Sequence, residues 1–482
     1  MIAMTLAEIA TVVGGAVVDG ADPSVSVTGP AFVDSRVAER GGLFVAVVGE
    51  RVDGHDYAAA AVDGGAAAVL STRDTGHPGV LVDEPVAALA RLAHHVLGRL
   101  DAVRVVALTG SQGKTSTKDL LAQVLAAAGR TVATYGSFNN ELGLPLTVLR
   151  ADTATRYLVL EMGARHVGDL RHSCEVAPPE VSLVLNVGKA HIGEFGSQEG
   201  IAQAKGEIVE ALDERGTAVL NADDPLVAAM SARTRGRVVT FGERHDADLR
   251  FSDVEVDDLG RPSFGLAHLG EQVEVSMGLV GEHHAGNAAA AAAAAVALGV
   301  RLDLVADALR TATATSRGRM DVHERADGVT VIDDAYNANP DSMRAALKAL
   351  AAIGRGRPGA RTVAVLGEMR ELGASALEEH DAVGRLAVRL DIHQLLVVGE
   401  AARPIHLGAS LEGSWGGESV FVADADEAVG WLHRELVPGD VVLFKASNAV
   451  RLSGVARAVL ADGGTAGPGH EAQAASGEET SR

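Results

Sequence analysis

Apolar positions along the chain fall into two successive programmes of alternation. Between residues 103 and 243, short runs with almost no polar interruption ("VRVVALTG", "TVATYG", "YLVLEMG", "VSLVLNVG", "TAVLNADD" and "RVVTFGE") alternate with stretches of helical spacing. Strands that are apolar at every position are buried on both faces, which predicts a parallel sheet covered by helices. A second alternation follows "ATSRGRM" (314–320), through "VTVIDDA", "RTVAVLGE", "QLLVVGE", "SVFVADA" and "DVVLFKAS". It predicts a smaller doubly wound domain beyond a hinge. Ahead of both, "GLFVAVVG" (42–49), "AAAVLST" (66–72) and "GVLVDE" (79–84) read as short strands, and "VAALARLAHHVLGRL" (86–100) as an amphipathic helix. The block "NAAAAAAAAVALGV" (287–300) predicts a tightly packed helix ending near Gly299, since alanine is the best helix former.

Composition narrows the class. A chain of 482 residues is too long for one core, and 47% hydrophobic content excludes a mainly disordered protein. No apolar run free of charges is long enough to cross a bilayer, and Met1 is not followed by a basic segment and signal core. The expectation is a cytoplasmic, monomeric protein with no membrane insertion. The single Cys174 allows no intrachain disulfide and excludes cysteine-based zinc sites. A net charge of -22 argues against a nucleic-acid surface. An anionic ligand would need locally placed cations.

"TGSQGKTST" (109–117) supplies such a place, between an apolar run and the helical segment "TKDLLAQVLAAAG". Close backbone approach to a phosphate needs glycine, here Gly110 and Gly113, while Lys114 suits the β/γ-phosphates and the Thr115 hydroxyl suits Mg²⁺. Thr109, Ser111, Gln112 and Ser116 complete the loop, and Leu108 stands where the usual pattern has its first glycine. A phosphate-loop ATPase also needs an acid at the end of a neighbouring strand, and Glu161 in "YLVLEMGA" qualifies. Asp334, at a strand end in "VIDDAYNANPDSM", is placed for a ribose hydroxyl. The fold expected is α/β in three domains. A small mixed N-terminal domain spans 1–100, a central P-loop-like parallel-sheet ATPase domain 101–313 and a Rossmann-like C-terminal domain 314–461. Residues 462–482 lack large apolar side chains and are expected to be a disordered tail.

These segments together resemble the Mur ligases, ATP-dependent amide-forming enzymes of peptidoglycan precursor synthesis. The loop is similar to that family's TGxxGKT signature, and the resemblance runs over nearly the whole chain apart from the tail. It implies that Glu161, in "EMGARHVGDL", and His191, in "NVGKAHIGEFGS", bind two Mg²⁺ ions with Thr115. It implies that Lys205, in "IAQAKGEI", is carbamylated, which turns a cation into an oxygen ligand. It places Asn287, in "GEHHAGNAAAAAA", near adenine, with His284 where the family usually has Asn. It brings Arg319, in "SRGRM", to the γ-phosphate.

"VIDDAYNANPDSM" and "GSFNNELGLPLTVL" resemble the branch of the family that adds D-alanyl-D-alanine to UDP-N-acetylmuramoyl-tripeptide. From them Asn139, Asn140 and Asn337 are expected to touch substrate. The same resemblance puts Ser35 and Arg36 of "DSR" at the UDP-sugar, and Lys445 and Ser447 of "FKASNAVRL" at substrate in the last domain. The implied reaction passes through an acyl phosphate, with Lys114, Lys205, His191 and Arg319 as its catalytic groups. Two alternatives stand beside it: a sister ligase adding a single amino acid, and a non-ligase P-loop NTPase. A GTPase would carry an NKxD-like base-reading motif, and none follows the loop at a suitable distance.

Overall fold

The computed structural model describes residues 1–49, 51–189, 192–413 and 418–462. The expected tail falls almost wholly outside them. Three α/β units follow one another. The first holds a sheet ordered Ala16–Val17, Gly79–Leu81, Ala68–Ser71, Leu43–Val45 and Ala31–Phe32, parallel except at its first strand. The helix Pro85–Leu97, apolar along one face as the spacing predicts, packs against the helices Leu6–Val13 and Gly143–Val148.

The central sheet begins with Thr131–Ala133, Tyr157–Glu161, Arg104–Thr109, Val181–Val184, Thr217–Asn221, Arg237–Gly242 and Leu249–Val256, all parallel. It then continues antiparallel through Pro262–His268 and Glu271–Ser276. That meander has polar, alternating strands that present one face to water, a different signal from the apolar runs that identify the parallel part. The last unit is a sheet ordered Asp321–Glu324, Thr330–Asp333, Val441–Lys445, Thr362–Leu366, Gln394–Val398 and Ser419–Val422, antiparallel only at its first strand.

The alanine block forms the helix His284–Ala297, and Gly299 beyond it adopts a left-handed φ of 79°. Ala288 through Ala295 are all fully buried, packed against the phosphate-loop helix Lys114–Ala128 and against sheet residues such as Leu183 and Phe241. Alanine lets the backbones approach closely, so the helix holds its place by lacking volume. Ala292→Leu is expected to destabilise by about 1–3 kcal/mol through overpacking. Urea unfolding checks this, and an unchanged midpoint would show that the interface has slack. Cys174 is buried beside Met162 Sδ at 3.9 Å, and desolvation pushes its thiol up to about 12.

Candidate active site

The strand Arg104–Thr109 runs in register with Tyr157–Glu161, pairing Leu108 with Glu161, so a carboxylate arrives beside the turn where the central strand ends. That turn leads through Gly113, at φ 77°, into the phosphate-loop helix. A Cβ at Gly113 would lie 2.6 Å from Asn287 Oδ1, so only glycine lets the loop approach the alanine helix this closely. The backbone N–H groups of Ser111 and Gln112 both donate to Asn186 Oδ1 at 3.0 Å, which fixes the loop before any ligand arrives. Lys114 Nζ donates to Gly110 O at 2.7 Å. Burial pushes its pKa below the ordinary lysine value, against the opposing effect of Glu161.

Glu161 is 1% exposed. Its Oε1 accepts from Asn139 Nδ2 at 2.6 Å, and its backbone N–H donates to Thr134 Oγ1 at 3.0 Å. Its Oε2 is buried with no hydrogen-bond partner. A bare carboxylate oxygen in such a place is costly unless a cation or donor completes it. The Thr115 hydroxyl lies 3.0 Å from Ser137 Oγ. Arg319 reaches both, its Nη2 at 3.3 Å from Thr115 Oγ1 and 3.4 Å from Ser137 Oγ. The guanidinium lies 4.6 Å from the Tyr336 ring centre, and its Nε is buried without a partner. Gly318 and Met320 on either side of it both have left-handed φ, 68° and 52°.

Lys205 ends the helix Gln198–Lys205 and is 4% exposed. Burial, followed by the neighbouring charge of Lys114, pushes its pKa well below the ordinary lysine value. A cleft of 820 Å³ is lined by Lys114, Thr115, Glu161, Lys205, Arg319 and Asn337 among others. Asn139 and Asn140 also face it, the latter holding Gly143 N–H through its Oδ1 at 2.9 Å. A smaller cavity of 240 Å³ adjoins the loop, between Gly113, His283, His284, Asn287, Asp334 and Lys445.

Not every expected residue meets there. Asp334 lines the small cavity, but its Oδ2 already accepts from Lys445 Nζ at 2.6 Å and its Oδ1 from Met320 N–H at 3.2 Å. Lys445 thus stands in the small cavity, paired with Asp334, its Nζ also donating to Asn337 O at 3.1 Å. Ser447 Oγ accepts from Arg370 N–H at 3.0 Å and lines neither cavity. Ser35 and Arg36 form a 3-10 turn in the first unit, where Asp34 holds the Arg36 guanidinium at 2.8 Å, also outside both cavities. Thr109 is buried behind the loop. His191 lies outside the described residues.

His284 and Asn287 are one helical turn apart, and His284 Nδ1 and Asn287 Nδ2 are buried without partners. Desolvation holds the His284 imidazole well below its ordinary pKa, so it is neutral near pH 7. Asn186, Ser137, Thr134 and Tyr336 were missed from sequence. They sit inside segments already singled out, but an Asn, Ser, Thr or Tyr there carries no local signal of its contact.

Profiles of three parts of one family match the chain: Mur ligase family catalytic domain over 32–96, Mur ligase middle domain over 108–295, and Mur ligase glutamate ligase domain over 318–448. The chain belongs to the Mur ligase family. It is 50% identical to UDP-N-acetylmuramoyl-tripeptide--D-alanyl-D-alanine ligase of Mycobacterium tuberculosis, covering 96% of this chain and 98% of that one. Among solved structures, MurF from Acinetobacter baumannii superposes with a TM-score of 0.83 at 30% identity, covering 95% and 99% of the two chains. MurF of Thermotoga maritima, solved in complex with ADP, gives 0.76 at 32% identity over 90% and 98%.

Proposed function

We propose that this chain joins D-alanyl-D-alanine to UDP-N-acetylmuramoyl-tripeptide with conversion of ATP to ADP and phosphate, yielding the pentapeptide precursor of peptidoglycan. Half of all aligned positions are shared with a ligase of that name along nearly the full length of both chains, and this observation carries the reading. A sister ligase would be expected to align that closely with a differently named enzyme.

The chemistry follows from the cleft. A carboxylate oxygen of the tripeptide attacks the γ-phosphorus, the bond to the β-phosphate oxygen breaks, and ADP departs from an acyl phosphate. The dipeptide amine then attacks the acyl carbon, loses a proton, and expels phosphate. Two polyanions must meet, so positioning and charge neutralisation dominate. Lys114 and Arg319 face the transferring phosphoryl group, and the N–H groups where the loop enters its helix hold the remaining phosphates.

Magnesium, when bound, neutralises phosphate charge and orients the γ-phosphate for in-line attack. The residues present fit it. Among the described residues no cluster of three His, Cys, Asp or Glu side chains could hold a metal alone. The groups that would hold it are the Thr115 hydroxyl and the unpartnered Glu161 Oε2 beside the phosphates themselves, and the family resemblance would add His191. Lys205 completes the set by carbamylation. Its Nζ would add to CO₂: the N–C bond forms as one C=O π bond opens onto oxygen, a proton passes to water, and the carbamate would offer oxygen donors to magnesium. The smaller cavity takes the adenosine, with Asn287 at the base.

The test is ADP release by the purified chain with Mg²⁺, ATP and UDP-N-acetylmuramoyl-tripeptide, with and without D-alanyl-D-alanine. Release that requires the dipeptide, with a product heavier by one dipeptide less water, supports the reading. Turnover with a single amino acid and a shorter acceptor, and none with the dipeptide, would move the chain to a sister ligase.

A further inference from the structure

Lys205 is the last residue of its helix, and the helix ends against a guanidinium. Arg233 closes the 3-10 turn Ala229–Arg233 and reaches back across the chain. Its Nη1 donates to Ala202 O at 3.0 Å and its Nη2 to Gln203 O at 2.9 Å, so it takes carbonyls of the last turn. Its Nε and Nη2 also hold Glu210 Oε1, at 3.0 and 2.8 Å, on the next helix, Glu207–Glu210. One planar fork thus spans the junction between two helices, with Lys205 and Gly206 at the bend. Cations at helix C-termini are favourable, and only arginine offers enough donors in a fixed plane to serve both partners.

Gly206 is part of the same device. Its φ of -69° is ordinary helical backbone, which any residue adopts. A Cβ there would nonetheless lie 1.8 Å from Arg233 Nη1 and 2.1 Å from its Cζ. Glycine is required so that the guanidinium can lie against the chain. On the other side, Glu207 is 1% exposed and accepts the N–H groups of Gly168 at 2.6 Å and Arg171 at 3.1 Å. Gly168 lines the large cleft. The Lys205 backbone is therefore fixed from both sides of the bend, by Arg233 and by Glu207.

We propose that Arg233 is a positioning residue for Lys205: its fork over Gly206 sets where the Lys205 side chain enters the cleft. This rests on the reading of Lys205 as an oxygen ligand once carbamylated. A long aliphatic side chain reaches a fixed ligand position only if its own Cα is held, and the clamp holds it. A merely structural clamp would affect stability alone.

Two variants of the full chain separate these roles. Arg233→Lys keeps the charge but cannot bridge both helices. Gly206→Ala leaves the backbone conformation accessible and displaces the fork by contact. Each is incubated with ¹³C-bicarbonate, and the carbamate resonance is recorded by NMR beside Mg²⁺ affinity, kcat, KM for ATP and the thermal unfolding midpoint. Loss of a partner that orients a metal ligand typically costs about 10- to 100-fold in metal affinity or activity. The expected result is a fall of that size in kcat and Mg²⁺ affinity with a weakened carbamate signal. KM for ATP should stay within about twofold, and excess bicarbonate should recover part of the rate.

Both variants keeping the wild-type carbamate signal and kcat, with or without a lower unfolding midpoint, would overturn the inference while leaving Lys205 in its role. A wild-type chain lacking the signal would overturn the reading of Lys205, and this inference with it.

Discussion

Lys114→Ala is expected to lower kcat for dipeptide-dependent ADP release by about 10³-fold, the scale set by removing a cation that faces a transferring phosphoryl group. The side chain is half-buried at the start of the phosphate-loop helix, near Glu161 and Arg319, with its Nζ on Gly110 O. Arg319, 3.3 Å from the Thr115 hydroxyl and stacked on Tyr336, is held by those contacts. Folding should survive, because desolvation already opposes the charged form of Lys114 and alanine removes that cost. Arg in its place is larger and planar, and should rescue little. Steady-state turnover with the acceptor at saturation checks this. A Lys114→Ala chain within tenfold of wild type would mean that another cation neutralises the phosphates.

Lys205→Ala is the second large effect, with kcat lower by about 10²- to 10³-fold. The argument is electrostatic. A lysine 4% exposed, with its pKa depressed by burial and by Lys114, is poorly placed to serve as a cation. The same burial favours the neutral amine, which is the form that adds CO₂. An anion at this point would answer Lys114 and add an oxygen donor to the cleft that Glu161 also lines. Truncation to alanine leaves room, so acetate or formate in the assay should recover part of the activity, while chloride at equal ionic strength should not. A Lys205→Ala enzyme that is fully active, or that no carboxylate assists, would remove the lysine from the ligand set.

The two lysines differ in how they could be read from sequence. Lys114 follows from chain grammar alone: an apolar strand, two glycines, a lysine and a helix. Glu161 follows equally, as the acid that ends the neighbouring apolar run. Lys205 looks like a solvated surface residue on a short helix, and only the family resemblance singled it out. The parallel sheets were legible because strands buried on both faces have no polar positions. The meander from Leu249 to Ser276 was not, since alternating strands with glutamates resemble surface loops.

Contacts between segments distant in sequence were equally hidden. Asn186 reaches the loop from 74 positions away, and Arg233 clamps a helix from 30 positions beyond it. Asp334 shows the opposite case. Its strand-end position correctly suggested proximity to the small cavity, but a rule about ribose could not foresee that Lys445 already holds it.

Cys174 has a practical consequence for following these domains in motion. Its thiol is buried, the sequence has no other cysteine, and burial pushes its pKa up to about 12, so thiolate is scarce at neutral pH. The native chain should therefore be almost inert to maleimides, and labelling can proceed without first replacing its only cysteine. One cysteine introduced on the exposed side of the central unit and one on the last unit would accept a fluorophore pair on an otherwise silent background. The distance between the two sheets could then be watched as nucleotide, acceptor and dipeptide are added in turn.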